Sequence, residues 1–152
     1  MNFQFRLIQD EKDVARLEKF LLSQSLNYPN YGDWVRKAAE EILAGYKQGI
    51  IAFYDGFLVG DLIFQPHKEL PKMLELKNMR IDPKIQGRGS ASFMLKQAEK
   101  QPRCNGIICD VRASQIQVIN LLRFMGYQDV FRGPLYNSGE EDVVMVKELK
   151  AA

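Results

Sequence analysis

The sequence predicts an α/β (α+β) protein that folds as a single domain over residues 1–152. Some segments alternate apolar and polar residues and others repeat apolar residues at helical spacing, so strands and helices share the chain. Asp55-Gly56 separates two apolar runs and suits a hairpin turn, and a later apolar run meets a glycine-rich turn that opens an amphipathic segment. With 46% hydrophobic residues, the chain can bury one core.

The first half of the chain predicts a strand, two helices and a hairpin. Asp10 can cap the first helix, and Asp33 is the expected N-cap of the second, with Gly49 beyond its end. Residues 27–32 between the helices are not expected to be helical, because they include Pro29 and Gly32. The predicted segments are strand 3–7, a helix through residue 21, helix 34–47, and strands 50–54 and 57–64.

The second half predicts four strands and two helices. Pro83 ends a long strand, and Ser114 is the expected cap of the last helix. The third helix is predicted from four apolar residues at helical spacing, which are Ala91, Met94, Leu95 and Ala98. The remaining predicted segments are strands 73–82 and 106–112, helix 115–125, and strands 127–131 and 143–148.

Residues 86–91, Gln-Gly-Arg-Gly-Ser-Ala, form the glycine-rich turn before the third helix. Two glycines and two small residues let the backbone curl closely around a ligand, and the first N–H groups of a helix lack intrahelical acceptors. Together with the helix dipole they favour a phosphate or pyrophosphate, and Arg88 adds a mobile counter-charge. Turns of this kind also occur without any ligand.

Two familiar phosphate motifs do not fit this turn. The sequence has no Gly-Lys-Ser/Thr triplet for a Walker A loop. A dinucleotide fingerprint needs a third glycine where Ser92 stands, and it follows the first strand of its unit. The turn fits Q/R-x-x-G-x-G/A instead, through Gln86, Gly89 and Ala91.

This loop resembles the acetyl-CoA pyrophosphate loop of the GNAT superfamily of acyl-CoA-dependent N-acyltransferases. The likeness continues upstream in residues 79–83, Met-Arg-Ile-Asp-Pro, and downstream from residues 109–112, Cys-Asp-Val-Arg, to Gly126-Tyr127. The order of predicted elements is also similar to that of the GNAT fold. The resemblance implies a mixed six- to seven-stranded sheet with helices on both faces, in which parallel strands four and five splay apart to admit the pantetheine arm.

The resemblance also implies acetyl-CoA as cosubstrate. The backbone of three strand residues would bond the pantetheine and the acyl carbonyl, with an N–H near Ile81 as oxyanion donor. The turn would hold the pyrophosphate, and Gln115 stands where the family commonly carries a CoA-contacting asparagine. The implied cofactor-binding residues are Met79, Arg80, Ile81, Gln86, Gly87, Arg88, Gly89, Ser90, Ala91, Ser92 and Gln115.

Two carboxylates are candidates for the general base. Glu75 lies eleven residues before Gln86, the spacing at which histone-acetylating members carry their glutamate. Its neighbours Leu74 and Leu76 are expected to desolvate it and make it a stronger base. Asp110 occupies the family's D/E-V-R position. Either carboxylate could instead be an exposed or salt-bridged strand residue, and many members of the superfamily use a water relay.

The general acid departs from the family pattern. Ungapped alignment places Leu122 where a tyrosine commonly gives a proton to the CoA thiolate, which leucine cannot do. Tyr136, Tyr127 or solvent could replace that phenol. The catalytic candidates are therefore Glu75 and Asp110 for the base and Tyr136 for the acid.

Tyr28, Tyr31 and Trp34 are the candidate acceptor-binding residues. Their spacing resembles the Y-P-G-F-x-D-W segment of a bacterial GNAT subgroup. Alternatively, these aromatics pack the second helix onto the sheet. The acidic residues 140–142 could attract a cationic amine, although loop acids are usually solvated.

Composition narrows the partners and the compartment. A net charge of +2 is too small to favour nucleic acid as main ligand. Without a signal-like apolar start, or a run of roughly 20 apolar residues, we expect a cytoplasmic protein with no membrane partner. The sole histidine, His67, and the two cysteines, Cys104 and Cys109, suggest no metal site, no Cys/His pair and no disulfide. The oligomeric state stays open, with a homodimer as one option.

The sequence therefore predicts an N-acetyltransferase acting on a primary amine. The alternative is a CoA-binding regulatory or interaction module with weak or no catalysis, motivated by Leu122. A third hypothesis, a modifier of charged tRNA, rests on Arg80, Lys84 and Arg88, which are explained more simply as phosphate partners.

Overall fold

The computed structural model describes residues 2–24, 30–102, 104–136 and 139–149, which form seven strands and four helices. A short 3-10 turn, Pro83–Ile85, adds to them. In chain order they are β1 (Phe3–Leu7), α1 (Glu11–Ser23), α2 (Tyr31–Leu43), β2 (Gln48–Tyr54), β3 (Phe57–Pro66), β4 (Met73–Ile81), α3 (Ser90–Glu99), β5 (Gly106–Arg112), α4 (Ile116–Phe124), β6 (Gln128–Gly133) and β7 (Asp142–Glu148).

The seven strands form one mixed sheet in the order β1-β2-β3-β4-β5-β7-β6. β4 and β5 are parallel and pair at Met73↔Gly106, Leu74↔Ile107 and Glu75↔Ile108. The predicted mixed sheet with parallel strands four and five is confirmed. Within the described residues this pairing covers the first third of β4, as expected for parallel strands that splay.

The chain divides into two compact units, one of residues 1–65 and 78–98 and the other of residues 66–77 and 99–152. β4 supplies residues to both units. No described helix combines the length and hydrophobicity that crossing a bilayer requires.

The first unit has helices on both faces of its strands. Arg6 of β1 forms an ion pair with Asp13 of α1, whereas its neighbour Phe5 contacts Phe93 of α3 with ring centroids 4.4 Å apart. Successive strand residues point to opposite faces, so α1 and α3 lie on opposite faces, as predicted. The core on the α1 side comprises Val14, Leu17, Phe20, Leu21, Val35, Ala39, Ile42, Ile51, Phe53 and Ile63.

The second unit packs α4 with β5, β6 and β7. Its buried residues include Ile107, Cys109, Ile119, Leu122, Tyr127, Val143 and Met145. Glu99 accepts hydrogen bonds from the Tyr127 hydroxyl at 3.2 Å and from the Lys147 ammonium at 2.8 Å. This network anchors Tyr127 inside the unit.

Two helix starts differ from prediction. α2 begins at Tyr31 with Asn30 as N-cap, not at residue 34 with Asp33, so residues 31 and 32 are helical. This start places Tyr31 and Trp34 one turn apart, where their rings stack at 6.2 Å against the core. α2 also ends at Leu43, before residue 47, because Gly45 rather than Gly49 takes the left-handed backbone conformation after it.

α4 begins at Ile116, and its N-cap is Gln115, whose side chain makes no cap hydrogen bond. Ser114 is therefore not the cap that the sequence predicted.

The predicted hairpin between β2 and β3 is confirmed: Asp55 and Gly56 have φ values of 48° and 85°, and Tyr54 pairs with Phe57. Positive φ at both central residues is the type I′ pattern.

Candidate functional site

The predicted anion-binding turn lies in the first unit, between β4 and α3. The Asp82 side chain caps the 3-10 turn by accepting the Lys84 backbone N–H at 3.0 Å. Gly87 and Gly89 then both adopt a φ of +80°, and α3 begins at Ser90. Side chains rarely tolerate that conformation, so the two glycines permit the chain to reverse directly into the helix.

The surface of this turn is open. Among the described atoms, a Cβ at Gly87 would meet nothing within 4 Å, and one at Gly89 would meet only the Ser92 Oγ at 4.0 Å. The N-terminus of the ten-residue α3 is therefore approachable at both glycines. Ser90 is buried, and its Oγ has no hydrogen-bond partner among the described residues. An open helix N-terminus beside an unpartnered hydroxyl fits a phosphate group.

The side chains around the turn have mixed roles. Gln86 donates from its amide nitrogen to the Ile81 carbonyl at 3.2 Å, which ties the turn to the end of β4. Ser92 donates its hydroxyl to the Gly89 carbonyl at 2.9 Å. The Arg88 guanidinium carbon lies 5.7 Å from the centroid of the Tyr54 ring, a cation–π distance, on the protein surface.

The three residues of β4 that the resemblance assigns to CoA binding differ in the direction of their backbone groups. Asp82, just after β4, donates its N–H to a carbonyl of β3 at 2.7 Å. Backbone groups alternate in direction along a strand, so those of Met79 and Ile81 point away from β3. The Arg80 carbonyl faces β3, only 2.9 Å from where a Cβ of Gly60 would stand. Met79 and Ile81 therefore present backbone groups to the side away from β3, and Arg80 does not.

The second unit brings two predicted catalytic residues into contact. The Tyr136 hydroxyl donates to the Asp110 carboxylate at 2.8 Å. Glu75 pairs with Ile108 in the parallel register, and Asp110 lies two residues further along β5, so both carboxylates are on one face. Asp142 shares that face, because it pairs with Arg112 across β5 and β7. We call Glu75, Asp110, Asp142 and Tyr136 the acidic face.

The electrostatics of the acidic face keep the phenol protonated. Partial burial raises the pKa of Tyr136, and the hydrogen bond to Asp110 and the charges of Asp110, Asp142 and Glu75 raise it further. Tyr136 therefore carries its proton at neutral pH and can donate it. Glu75 accepts a hydrogen bond from the Lys77 ammonium at 3.1 Å, so its surroundings are more polar than Leu74 and Leu76 led us to expect.

The other candidate phenol, Tyr127, lies in a different environment. It is 2% exposed and bonded to Glu99, and burial raises its pKa. Leu122 is 1% exposed and belongs to the apolar interior. Of the two tyrosines, Tyr136 is the one hydrogen-bonded to a candidate base.

The remaining predicted residues are placed as follows. Tyr31 donates its hydroxyl to the Leu21 carbonyl at 2.7 Å, and it packs with Trp34 against the core of the first unit. This packing is the alternative that the sequence left open, and acceptor binding by the two residues stays a prediction. Tyr28 lies outside the described residues. Gln115 is exposed at the start of α4 in the second unit.

Sequence reasoning missed a buried carboxylate on β3. Asp61 is fully buried on the α1 side of the sheet, since it pairs with core residue Ile51. Asn78 donates to its Oδ2 at 2.8 Å, and its Oδ1 has no partner among the described residues. Burial raises the pKa of Asp61 to about 7, while the Asn78 hydrogen bond and the Arg80 charge oppose this rise. A single acid inside the apolar run 57–64 was the available signal.

The cysteines behave as expected. Burial raises the pKa of Cys109 to about 12, so it is an inert core thiol at neutral pH. Both thiols are free. Within the ranges that the structure describes, no three His, Cys, Asp or Glu side chains are arranged to hold a metal ion.

Comparison with known proteins agrees with this fold. The acetyltransferase (GNAT) family profile matches residues 9–127. A GNAT-family protein from Desulfovibrio desulfuricans has a TM-score of 0.84 at 15% identity, covering 97% of this chain and 99% of its own. The ribosomal-protein-S18-alanine N-acetyltransferase of Escherichia coli has a TM-score of 0.76 at 15% identity, covering 99% and 96%.

YncA from Salmonella typhimurium, whose structure contains acetyl-CoA, has a TM-score of 0.76 at 15% identity and covers 100% of this chain and 96% of its own. At such identities the likeness concerns the fold. No curated protein matches the sequence. The family profile, in contrast, spans most of the chain and includes both β4 and the glycine turn. The chain belongs to the GNAT family of acetyltransferases.

Proposed function

We propose that the protein is an N-acetyltransferase that moves the acetyl group of acetyl-CoA to a primary amine by direct attack in a ternary complex. The observation that carries this proposal is the 2.8 Å hydrogen bond between Tyr136 and Asp110. It pairs a phenol with a carboxylate on the acidic face, so an acid and a base are present although Leu122 replaces the usual tyrosine. Family membership supports acetyl-CoA as the donor.

The reaction needs three things from the chain. A carboxylate, Asp110 or Glu75, removes a proton from the acceptor ammonium, and the neutral nitrogen then attacks the thioester carbon. The carbon–nitrogen bond forms first, and a backbone N–H of β4 stabilises the oxygen that becomes negative. The carbon–sulfur bond then breaks, and the nitrogen loses its second proton, which restores the proton that Tyr136 gives away. Tyr136 supplies the proton that converts the departing thiolate to a thiol.

Acetyl-CoA binding is assigned to chain elements already described. The open turn from Gly87 to Ser92 would hold the pyrophosphate with its amides, and the Ser90 hydroxyl would gain the partner that it lacks. Met79 and Ile81 would bond the pantetheine through their backbone groups. Gln115 would contact CoA through its amide. We further propose that residues 1–152 act as one cytoplasmic acetyltransferase domain.

A second function is favoured by one observation. Leu122 is buried where the family commonly has its acid, as expected if the chain binds CoA without efficient chemistry. Turnover of acetyl-CoA against a panel of primary amines separates the two proposals. Release of free CoA that depends on an amine supports the enzyme. Tight CoA binding without such release supports a regulatory or interaction module.

Gly89→Asp is expected to weaken CoA binding by at least about tenfold, or roughly 1.4 kcal/mol. The new carboxylate would stand against the phosphates and block the close approach of the backbone. Calorimetric titration with CoA measures the change. A folded variant with wild-type affinity would remove the turn from the binding site.

Gly45→Asp is the matched control for this variant. Gly45 also has a positive φ, +85°, with nothing within 4 Å of an added Cβ among the described atoms, and it lies at the end of α2. Gly45→Asp therefore adds the same backbone strain and the same negative charge at a position outside the glycine-rich turn. CoA affinity should stay within about twofold of wild type in this control.

A further inference from the structure

Asp142 is a buried carboxylate, and the described residues leave one of its oxygen atoms without a hydrogen bond. It is 4% exposed, and its Oδ2 is buried with no hydrogen-bond partner among the described residues. An unpaired carboxylate oxygen is costly to bury, so such a group normally has a partner when the protein is at work. The register places Asp142 on the acidic face, and its charge reaches the Tyr136 hydroxyl.

Among the residues that the structure describes, acids on and beside the acidic face outnumber bases. Glu75 is paired with Lys77, and Arg112 is paired with Glu140. The described hydrogen-bond partner of Asp110 is the neutral phenol of Tyr136. Counting these residues with Asp142 gives four acids and two bases, a net charge of −2 on a chain whose net charge is +2. A patch opposite in sign to the whole protein attracts cations.

One reacting amine cannot both give its proton to Asp110 and keep a positive charge that pairs with Asp142. An amine must lose its proton before it attacks a thioester, so the nitrogen that reacts becomes neutral. A second ammonium elsewhere on the same acceptor keeps its charge throughout. It could therefore pair with Asp142 while Asp110 or Glu75 takes the proton from the first.

Resting on the proposed function, we propose that the acceptor is a small amine with at least two ammonium groups, and that Asp142 binds the ammonium that does not react. Asp142 is then a specificity-determining residue. Its Oδ2, which has no partner among the described residues, receives the hydrogen bond of the ligand, and the 58% exposed side chain of Tyr136 is the part of the acidic face that solvent reaches.

The test compares three acceptors of equal chain length on the wild-type protein: diaminobutane, butylamine and aminobutanoate. At low ionic strength we expect kcat/KM for diaminobutane to exceed that for butylamine by at least about tenfold, with aminobutanoate the poorest. Added salt should shrink the preference, because it screens the charges. Equal rates for diaminobutane and butylamine would overturn this inference and leave the proposed function standing.

Substitutions test whether Asp142 is the residue that produces the preference for diaminobutane over butylamine. Asp142→Asn should bring the ratio of diaminobutane to butylamine close to one, and Glu148→Gln, at the far exposed end of β7, should leave the ratio unchanged. A wild-type ratio in folded Asp142→Asn would overturn the assignment. Calorimetric binding of diaminobutane to the wild-type protein with CoA decides the inference without turnover: binding no tighter than that of butylamine contradicts it. Absence of transfer to every amine would instead overturn the proposed function.

Discussion

Asp110→Asn is expected to lower kcat/KM for the acceptor amine by roughly a hundredfold at neutral pH, with acetyl-CoA affinity nearly unchanged. An amide cannot take a proton from the acceptor, and Asp110 is the carboxylate whose described partner is the Tyr136 phenol rather than an ammonium. Glu75→Gln is the competing variant, since Glu75 lies on the same face but is held by Lys77. Initial rates with several amines measure both.

The pH profile identifies the base. If Asp110 takes the proton, the acidic limb of the wild-type profile should flatten in Asp110→Asn and persist in Glu75→Gln. Asp129→Asn is a control, because Asp129 is an exposed carboxylate of the same unit, paired with Arg123. Wild-type rates in Asp110→Asn between about pH 6 and 9, together with loss in Glu75→Gln, would assign the base to Glu75. Wild-type rates in both variants would indicate a water relay.

Asp61→Asn is expected to stabilise the fold above neutral pH by roughly 2 to 4 kcal/mol. An aspartate in the unfolded chain titrates near 3.8, whereas Asp61 in the fold titrates at about 7. Between these values the folded state keeps the proton and the unfolded state releases it, so the free energy of unfolding falls as the pH rises. Above about pH 7 the full penalty is present, and asparagine, which cannot ionise, avoids it.

Urea denaturation at several pH values measures this effect as the difference between wild type and Asp61→Asn. The difference should be small near about pH 4 and grow until about pH 7. Asp33→Asn serves as control, since the Asp33 side chain is 69% exposed. A difference that does not change with pH would mean that Asp61 has the same pKa in the folded state as in the unfolded chain.

Local sequence signals predicted most of the elements. Strong patterns were predicted at the right positions: the Asp55-Gly56 turn joins the two hairpin strands, and the buried strand Gly106–Arg112 has the predicted bounds. The hairpin strands, predicted as 50–54 and 57–64, each extend two residues further at their outer ends. The start of α2 was misplaced because Asn30 rather than Asp33 is the N-cap, and because the contact of Tyr31 and Trp34 with the core extends the helix. Tertiary packing decided that boundary, and sequence windows do not contain it.

Some features of the candidate site were likewise predictable from local sequence, and others were not. The glycine turn was predictable, because positive φ leaves a glycine signature in the sequence. The contact between Asp110 and Tyr136 joins residues 26 positions apart, and only the pairing of β5 with β7 and the loop before β7 brings them together. Asp142 was read as one of three solvated loop acids, but it begins β7 and is buried. Long-range strand register, which composition does not encode, made that difference.

The buried position of Leu122 also limits which side chains that site can accept. Its side chain is 1% exposed in a packed interior, so Leu122→Tyr would have to fit a larger ring and a hydroxyl where neighbouring atoms already touch. Overpacking of this kind typically costs about 1 to 3 kcal/mol. If Tyr136 supplies the proton as proposed, a phenol added at position 122 is therefore expected to lower the free energy of unfolding without a matching gain in rate. The position of the acid is then limited by the packing of the interior as well as by the chemistry of the site.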